Sequence, residues 1–593
     1  MRILALLPVC LLCVACSRKT PPADFAKLSE EAVYTILSFS PVGASSQGLH
    51  KFAGEDFDTA LDDLSFRTIQ KQRNYFVELH KRMEAFDREA LSPEDRADYD
   101  MIDYQIGLAL FDTDVAQSWR KSPQSYVELL GTALFSPLAL EYAPKEVRYR
   151  HLIARLEKIP AFVDTARRQL VGVPPLWAKV AQEENDGNIG LVDGLLRKNA
   201  PAEMKAAYDA AAGPALDALR AFNRFMATEM MNRPMRGPGA TDWRLGDQYA
   251  TKFRLALATD RTPDQVLADA ETRLKEVRAK MLEISLPLHE KWFGAHGAHA
   301  DLQGVDRENK VISEVLDHIA QDHSTPAGYF ADANKDLAEA RAFAIGKNLL
   351  TMPRGDNLRI IPTPEFQRGG YPVGGFNPAP ALEPQLGAFF WLTPIPADWA
   401  RERVESKLRE YNAYNLRLLV VHEAMPGHYV QDEFANAVEP KQRRILRAIF
   451  SNGPYVEGWA QYITQVMLDE GYLDKAPELR LTFYKEELRV DANAILDIKL
   501  QTNRMTDDEA MRLMESLTFQ EHEEAVAKLQ RAKLSATQLP TYFVGWRDWL
   551  RVREHVTAHS KNFTLRDFHD RALKEGGIPL PVLAQLLTGK PLN

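Results

Sequence analysis

Stretches such as EVRYRHLIARLEKIPAFVDTARRQLVGV and PDQVLADAETRLKEVRAKMLEI set apolar residues three and four apart among charges. That spacing puts one apolar stripe on an α-helix and requires a partner surface to cover it. The pattern runs to about residue 350 and resumes from Trp399 to Leu592, so the chain must fold largely as helices packed on helices. Between these blocks NLRIIPTPEFQRGGYPVGGFNPAPALEPQLGAFFWLTPIP is rich in Pro and Gly around two β-prone runs, LRIIP and GAFFWLT. The expected fold class is mostly α, two helical lobes around a cleft, with a small antiparallel β insert near residues 357–394.

With 593 residues the chain exceeds what one core serves, since cores stop growing at roughly 250 to 300 residues. We expect a tether over 16–25, an N-terminal helical lobe over 26–300 and a second lobe over 301–593. The Pro- and Gly-rich MNRPMRGPGATDWRLG (231–246) reads as a loop or lobe boundary. A net charge of -9, with no long basic run, argues against a nucleic-acid partner.

The chain opens MRILALLPVCLLCVACSRKT. The apolar stretch from Ile3 to Ala15 is too short to span a bilayer and fits a secretory signal over residues 1–15. Ala15 before Cys16 resembles a bacterial lipobox, which would make Cys16 the lipidated N-terminus of an exported protein whose only membrane contact is that anchor. All three cysteines lie in this segment, so a metal in the mature chain must be held by His, Asp or Glu.

VVHEAMPGHYVQ (420–431) offers such ligands. His422 and His428 lie six apart, about 600° along an unbroken helix, which would turn them some 120° away from each other. Pro426, however, has no N–H for the His422 carbonyl, pushes Met425 out of helical geometry, and is followed by a permissive glycine. The break can swing His428 back. Zinc sites that do catalysis have three protein ligands and a water, and Glu457, a lone acid in the apolar helical stretch NGPYVEGWAQYITQVML, is the best third ligand. Glu423 is placed to take a proton from metal-activated water and pass it to a leaving amine. Two other histidine groups are read as bland: His289, His296 and His299 around the small, Gly-rich GAHGAHA as an exposed loop, His555 and His559 as a solvated helix face.

HEAMPGHYVQ followed by YVEGWAQY resembles the paired signatures HEA-x-PGH and EGWA-x-Y of a bacterial family, many of them lipoproteins, known as domain of unknown function 885 and grouped with glutamate-zincin peptidases. The resemblance implies a zincin-like fold, zinc as the metal, His422, His428 and Glu457 as ligands, Glu423 as general base, and peptides as substrate. RAKLSATQLPTYFVG resembles a further family stretch, implying roles for Arg531, Gln538 and Tyr542, with Tyr542 as hydrogen-bond donor to the oxyanion. The chain departs from the pattern where a Pro-Gly pair becomes Ala536-Thr537, where an Asp-to-His pair appears as Asp497 with Gln501, and at Thr464. GAFFWLT is expected either as an edge strand along the cleft, where a peptide could add, or as a buried core strand. The alternatives are a non-catalytic helical lipoprotein with a structural or vestigial metal site, and a metal-dependent hydrolase of non-peptide amides. Oligomeric state and the choice between end and internal cleavage stay open in the sequence.

Overall fold

The computed structural model describes residues 24–230, 233, 242–294, 299–353, 357–364, 367–368 and 373–592. The leader with Cys16, His296 and most of the 231–246 loop lie outside the described residues. The fold is mostly α, as the periodicity requires. Among the described residues no helix is long and apolar enough to cross a membrane.

The helices that build the cleft are numbered here in chain order. One bundle, with α1 (Pro123–Ala139), α2 (Pro175–Gly190) and α3 (Lys205–Arg224), has its own core around Tyr126, Leu156, Tyr208 and Phe222. A larger core joins the first helical segments to much of the chain after Tyr249, through α4 (Pro263–Phe293), α5 (Gly304–Ile319), α6 (Ala413–Glu423), α7 (His428–Ala435), α8 (Gly453–Asp469), α9 (Pro477–Gln501), α10 (His522–Leu534) and α11 (Pro540–His559). Because α4 packs along α9, this core has no break at residue 300. Local sequence sets several helix starts: Thr262 and Gln265 form a reciprocal capping box ahead of α4, Asn412 caps α6, and Asn452 caps α8 with Pro454 in its first turn.

A two-residue ribbon, β1 (Lys51–Phe52) with β2 (Glu55–Asp56), was not anticipated. The larger insert contains β3 (Leu358–Pro362), β4 (Gly374–Asn377) and β5 (Ala388–Leu392) in the order β3-β5-β4. It lies where expected, but it is mixed rather than antiparallel: β3 pairs with β5 in parallel, and only β4 is antiparallel to it. The run GAFFWLT supplies the buried central strand β5, and β4 is the strand that borders the cleft.

Helices α8 and α11 cross at two glycines. A Cβ on Gly458 would lie 2.3 Å from the Gly545 carbonyl carbon, and one on Gly545 would lie 2.0 Å from the Pro454 carbonyl oxygen. Alanine normally stabilises a helix interior relative to glycine by roughly 1 kcal/mol. Here the overpacking dominates, so Gly545→Ala is expected to lower the unfolding free energy in urea by about 1–3 kcal/mol; a gain in stability would contradict this close crossing.

Candidate metal centre

Helix α6 ends at Glu423 and α7 begins at His428. Pro426 cannot donate to the His422 carbonyl, and Gly427 packs so close to that turn that a Cβ on it would lie 1.9 Å from the His422 oxygen. Ala424 and Met425 both donate to Val420 instead. Trp459 closes the break from the other side, its indole N–H shared between the carbonyls of Pro426 (3.1 Å) and Gly427 (3.2 Å). The result is a pair of perpendicular imidazoles with centroids 4.7 Å apart.

Glu457, on the second turn of α8, points its Oε2 at both rings, 3.7 Å from His422 Nε2 and 3.4 Å from His428 Nε2. These separations are too long for good hydrogen bonds, and the buried Oε2 has no hydrogen-bond partner among the described residues. Tetrahedral zinc with bonds of about 2.0–2.2 Å holds its ligand atoms about 3.3–3.6 Å apart; the 3.4 Å separation falls in that range and the 3.7 Å one lies just beyond it, so the two imidazoles and the carboxylate suit such an ion. Burial alone would push the Glu457 carboxyl up, yet the two histidines hold it well below the ordinary carboxylate range. Glu423 points to another side of the turn, where its carboxylate accepts the Phe376 amide of β4 at 2.8 Å.

The other expected residues gather on the facing wall. Arg531 donates to Gln538 Oε1 (2.9 Å) and to the Tyr542 hydroxyl (3.2 Å), and Gln538 Nε2 reaches the same hydroxyl at 3.4 Å. With both neighbours donating to its oxygen, Tyr542 keeps its own proton to give. Burial first, then the Glu457 charge, push that phenol up to about 12, so it is protonated at neutral pH. These residues, His422, Glu423, His428 and Glu457 line one cavity of about 1560 Å³ between the α1–α3 bundle and helices α6 to α11.

The departures from the family pattern have a structural consequence. Buried Asp497 accepts the Tyr249 hydroxyl (2.6 Å) and the Thr537 amide, while Gln501 donates to Ser535 O and accepts the Leu245 amide. Together they pin the 535–537 loop that carries Gln538 and Tyr542. Thr464 borders the cleft and returns its hydroxyl to Ala460 O.

Two sequence readings need correction. His289 is fully buried rather than in an exposed loop; it and His299 bond the same oxygen of Glu314 at 2.8 and 2.7 Å, and Lys310 takes the other oxygen at 2.9 Å. His555 is also buried, bonded to Thr588. Sequence reasoning missed the Phe376 amide, which only the fold brings to Glu423, and the Trp459 clamp, for which the neighbouring Glu-Gly was the available signal.

Residues 41–587 match the family described as bacterial protein of unknown function, DUF885. The chain belongs to this family. No curated protein matches it. Among solved structures, a candidate lipoprotein of unknown function from Shewanella oneidensis is similar at 27% identity and a TM-score of 0.78, covering 95% of this chain and 99% of that one. A candidate lipoprotein from Colwellia psychrerythraea shares the fold at 17% identity and a TM-score of 0.76, covering 96% and 98%.

Thr537, next to Gln538, has a left-handed backbone at φ 69°. Leaving glycine out of such a position costs about 1–2 kcal/mol. Thr537→Gly and Thr537→Ala both remove the side chain, but only glycine relieves the backbone. Chemical denaturation should therefore find the Gly variant more stable than the Ala variant by about 1 kcal/mol; equal stabilities would show that Thr537 is not strained.

Proposed function

We propose that this DUF885 member is an exported zinc metallopeptidase that hydrolyses short peptides. The observation that carries the reading is the tripod of His422, His428 and Glu457, spaced as metal ligands around an oxygen with no hydrogen bond, on the floor of a peptide-sized cleft. When bound there, zinc supplies Lewis acidity toward a carbonyl and makes hydroxide accessible near neutral pH.

The chain's own residues divide the remaining work. Glu423, oriented by the Phe376 amide, takes the proton of the attacking water and passes it to the leaving amine. Tyr542 donates its hydroxyl proton as a hydrogen bond to the carbonyl oxygen as charge develops there, and Arg531 with Gln538 fixes the phenol in that orientation. The bordering strand β4 offers an edge along which an extended peptide can lie. A cleft between helical walls excludes folded proteins, which favours short peptides. Lipid attachment at Cys16 accords with the descriptions of the two similar structures and makes the chain envelope-anchored.

Metal analysis of the purified chain should find one zinc, lost in the double variant His422→Ala, His428→Ala. Glu423→Gln should keep the metal and lose about 10²- to 10⁴-fold in peptide hydrolysis. Tyr542→Phe should lower kcat by about 10²- to 10³-fold. Parent-rate cleavage by Glu423→Gln would refute the assigned chemistry, and a metal-free parent would refute the site.

A further inference from the structure

One face of α10 looks into the cleft, and Lys528 and Arg531 lie on it one turn apart. Lys528 is buried, with 7% of its surface exposed. The acids around it are already engaged: Glu410 pairs with Lys485 at 2.8 Å, and Arg489 takes both Glu486 (3.2 Å) and Glu524 (2.9 Å). Arg531 meets only the neutral Gln538 and Tyr542. Among the described residues neither Lys528 nor Arg531 has a carboxylate within ion-pair distance. A buried cation without an anion is costly, and an enzyme keeps one where a ligand supplies the missing charge.

The wider cluster has the same imbalance. Lys485, Arg489, Lys528 and Arg531 face Glu410, Glu486 and Glu524. Burial, then the charges of Arg489 and Arg531, pull the Lys528 ammonium down to about 7, as expected where cations crowd. Position gives the ligand's reach. Tyr542, bonded to Arg531, feels the Glu457 charge, and Lys528 lies about 4.5 Å further along the helix axis from Arg531. An extended peptide advances about 3.3 Å per residue.

We propose that Lys528, with Arg531, forms a subsite for a carboxylate of the peptide substrate, foremost its C-terminal carboxylate, held one or two residues beyond the bond that is cut. The inference rests on the peptidase reading and deepens it: the chain would remove single residues or dipeptides from C-terminal ends. Arg531 then serves both the phenol and the substrate anion.

The test measures binding rather than turnover, by calorimetry on the full zinc-loaded Glu423→Gln chain. The probes are tetra-alanine as the free acid, its C-terminal amide, and an amide carrying one aspartate. The free acid should bind roughly 10- to 100-fold tighter than the amide. Adding Lys528→Met should erase most of that difference; the comparison of acid with amide on the chain bearing Lys528 needs no such variant and stands even if this one misfolds. Recovery of tight binding by the aspartyl amide would support the subsite with a side chain as its source. Equal binding of acid and amide, with no gain from aspartate, would overturn it. Discrimination between acid and amide, when the parent chain bearing Glu423 holds no zinc or cleaves no peptide, would keep the subsite and discard the peptidase reading.

Discussion

The His422 carbonyl has no helical N–H to accept, because the residue four positions on is Pro426. Gly427 fills the space against that carbonyl, where no side chain would fit, and the helix restarts at His428 with its imidazole turned toward His422. The floor of the cleft then follows from neighbours of this break. Trp459 bonds its two exposed carbonyls, which fixes α8 beside it, and Glu457 on the same turn of α8 meets both rings. Gly458 lets α11 lie against α8, which brings Tyr542 to the same cavity. The consecutive residues Glu457, Gly458 and Trp459 thus provide a candidate ligand, a close helix crossing and a clamp.

Two His-His-Glu clusters occur among the described residues, and their distances separate them. Around Glu314 both imidazoles sit at hydrogen-bond length and a lysine covers the second oxygen, so the carboxylate is satisfied by protein alone. That network ties the end of α4 to α5. Around Glu457 the separations are longer than hydrogen bonds, and among the described residues the carboxylate oxygen between the rings has no hydrogen bond. Ligand type would not have told them apart; spacing does.

The helical fold and the tripod were legible because both depend on local rules: helical periodicity, and a proline that must end a helix between two histidines six residues apart. Glu457 was legible because an uncompensated acid in an apolar helix demands a cation. What failed depends on contacts distant in sequence. The order β3-β5-β4 comes from long-range pairing, which placed GAFFWLT at the centre and gave β4 the cleft. His289 looked exposed because its flanking Gly-Ala segment is small, whereas it is buried and bonded to Glu314 on another helix, a carboxylate that Lys310 also holds. Lys528 was unremarkable in sequence, since its isolation appears only once Arg489 and Lys485 have taken the nearby acids.

The central claim, that the break at Pro426-Gly427 builds a zinc site, is tested most directly by anomalous diffraction at the zinc edge from crystals with one equivalent of zinc. The account predicts one strong peak about 2.0–2.2 Å from His422 Nε2, His428 Nε2 and Glu457 Oε2. No peak there, or a peak only between His289, His299 and Glu314, would contradict it.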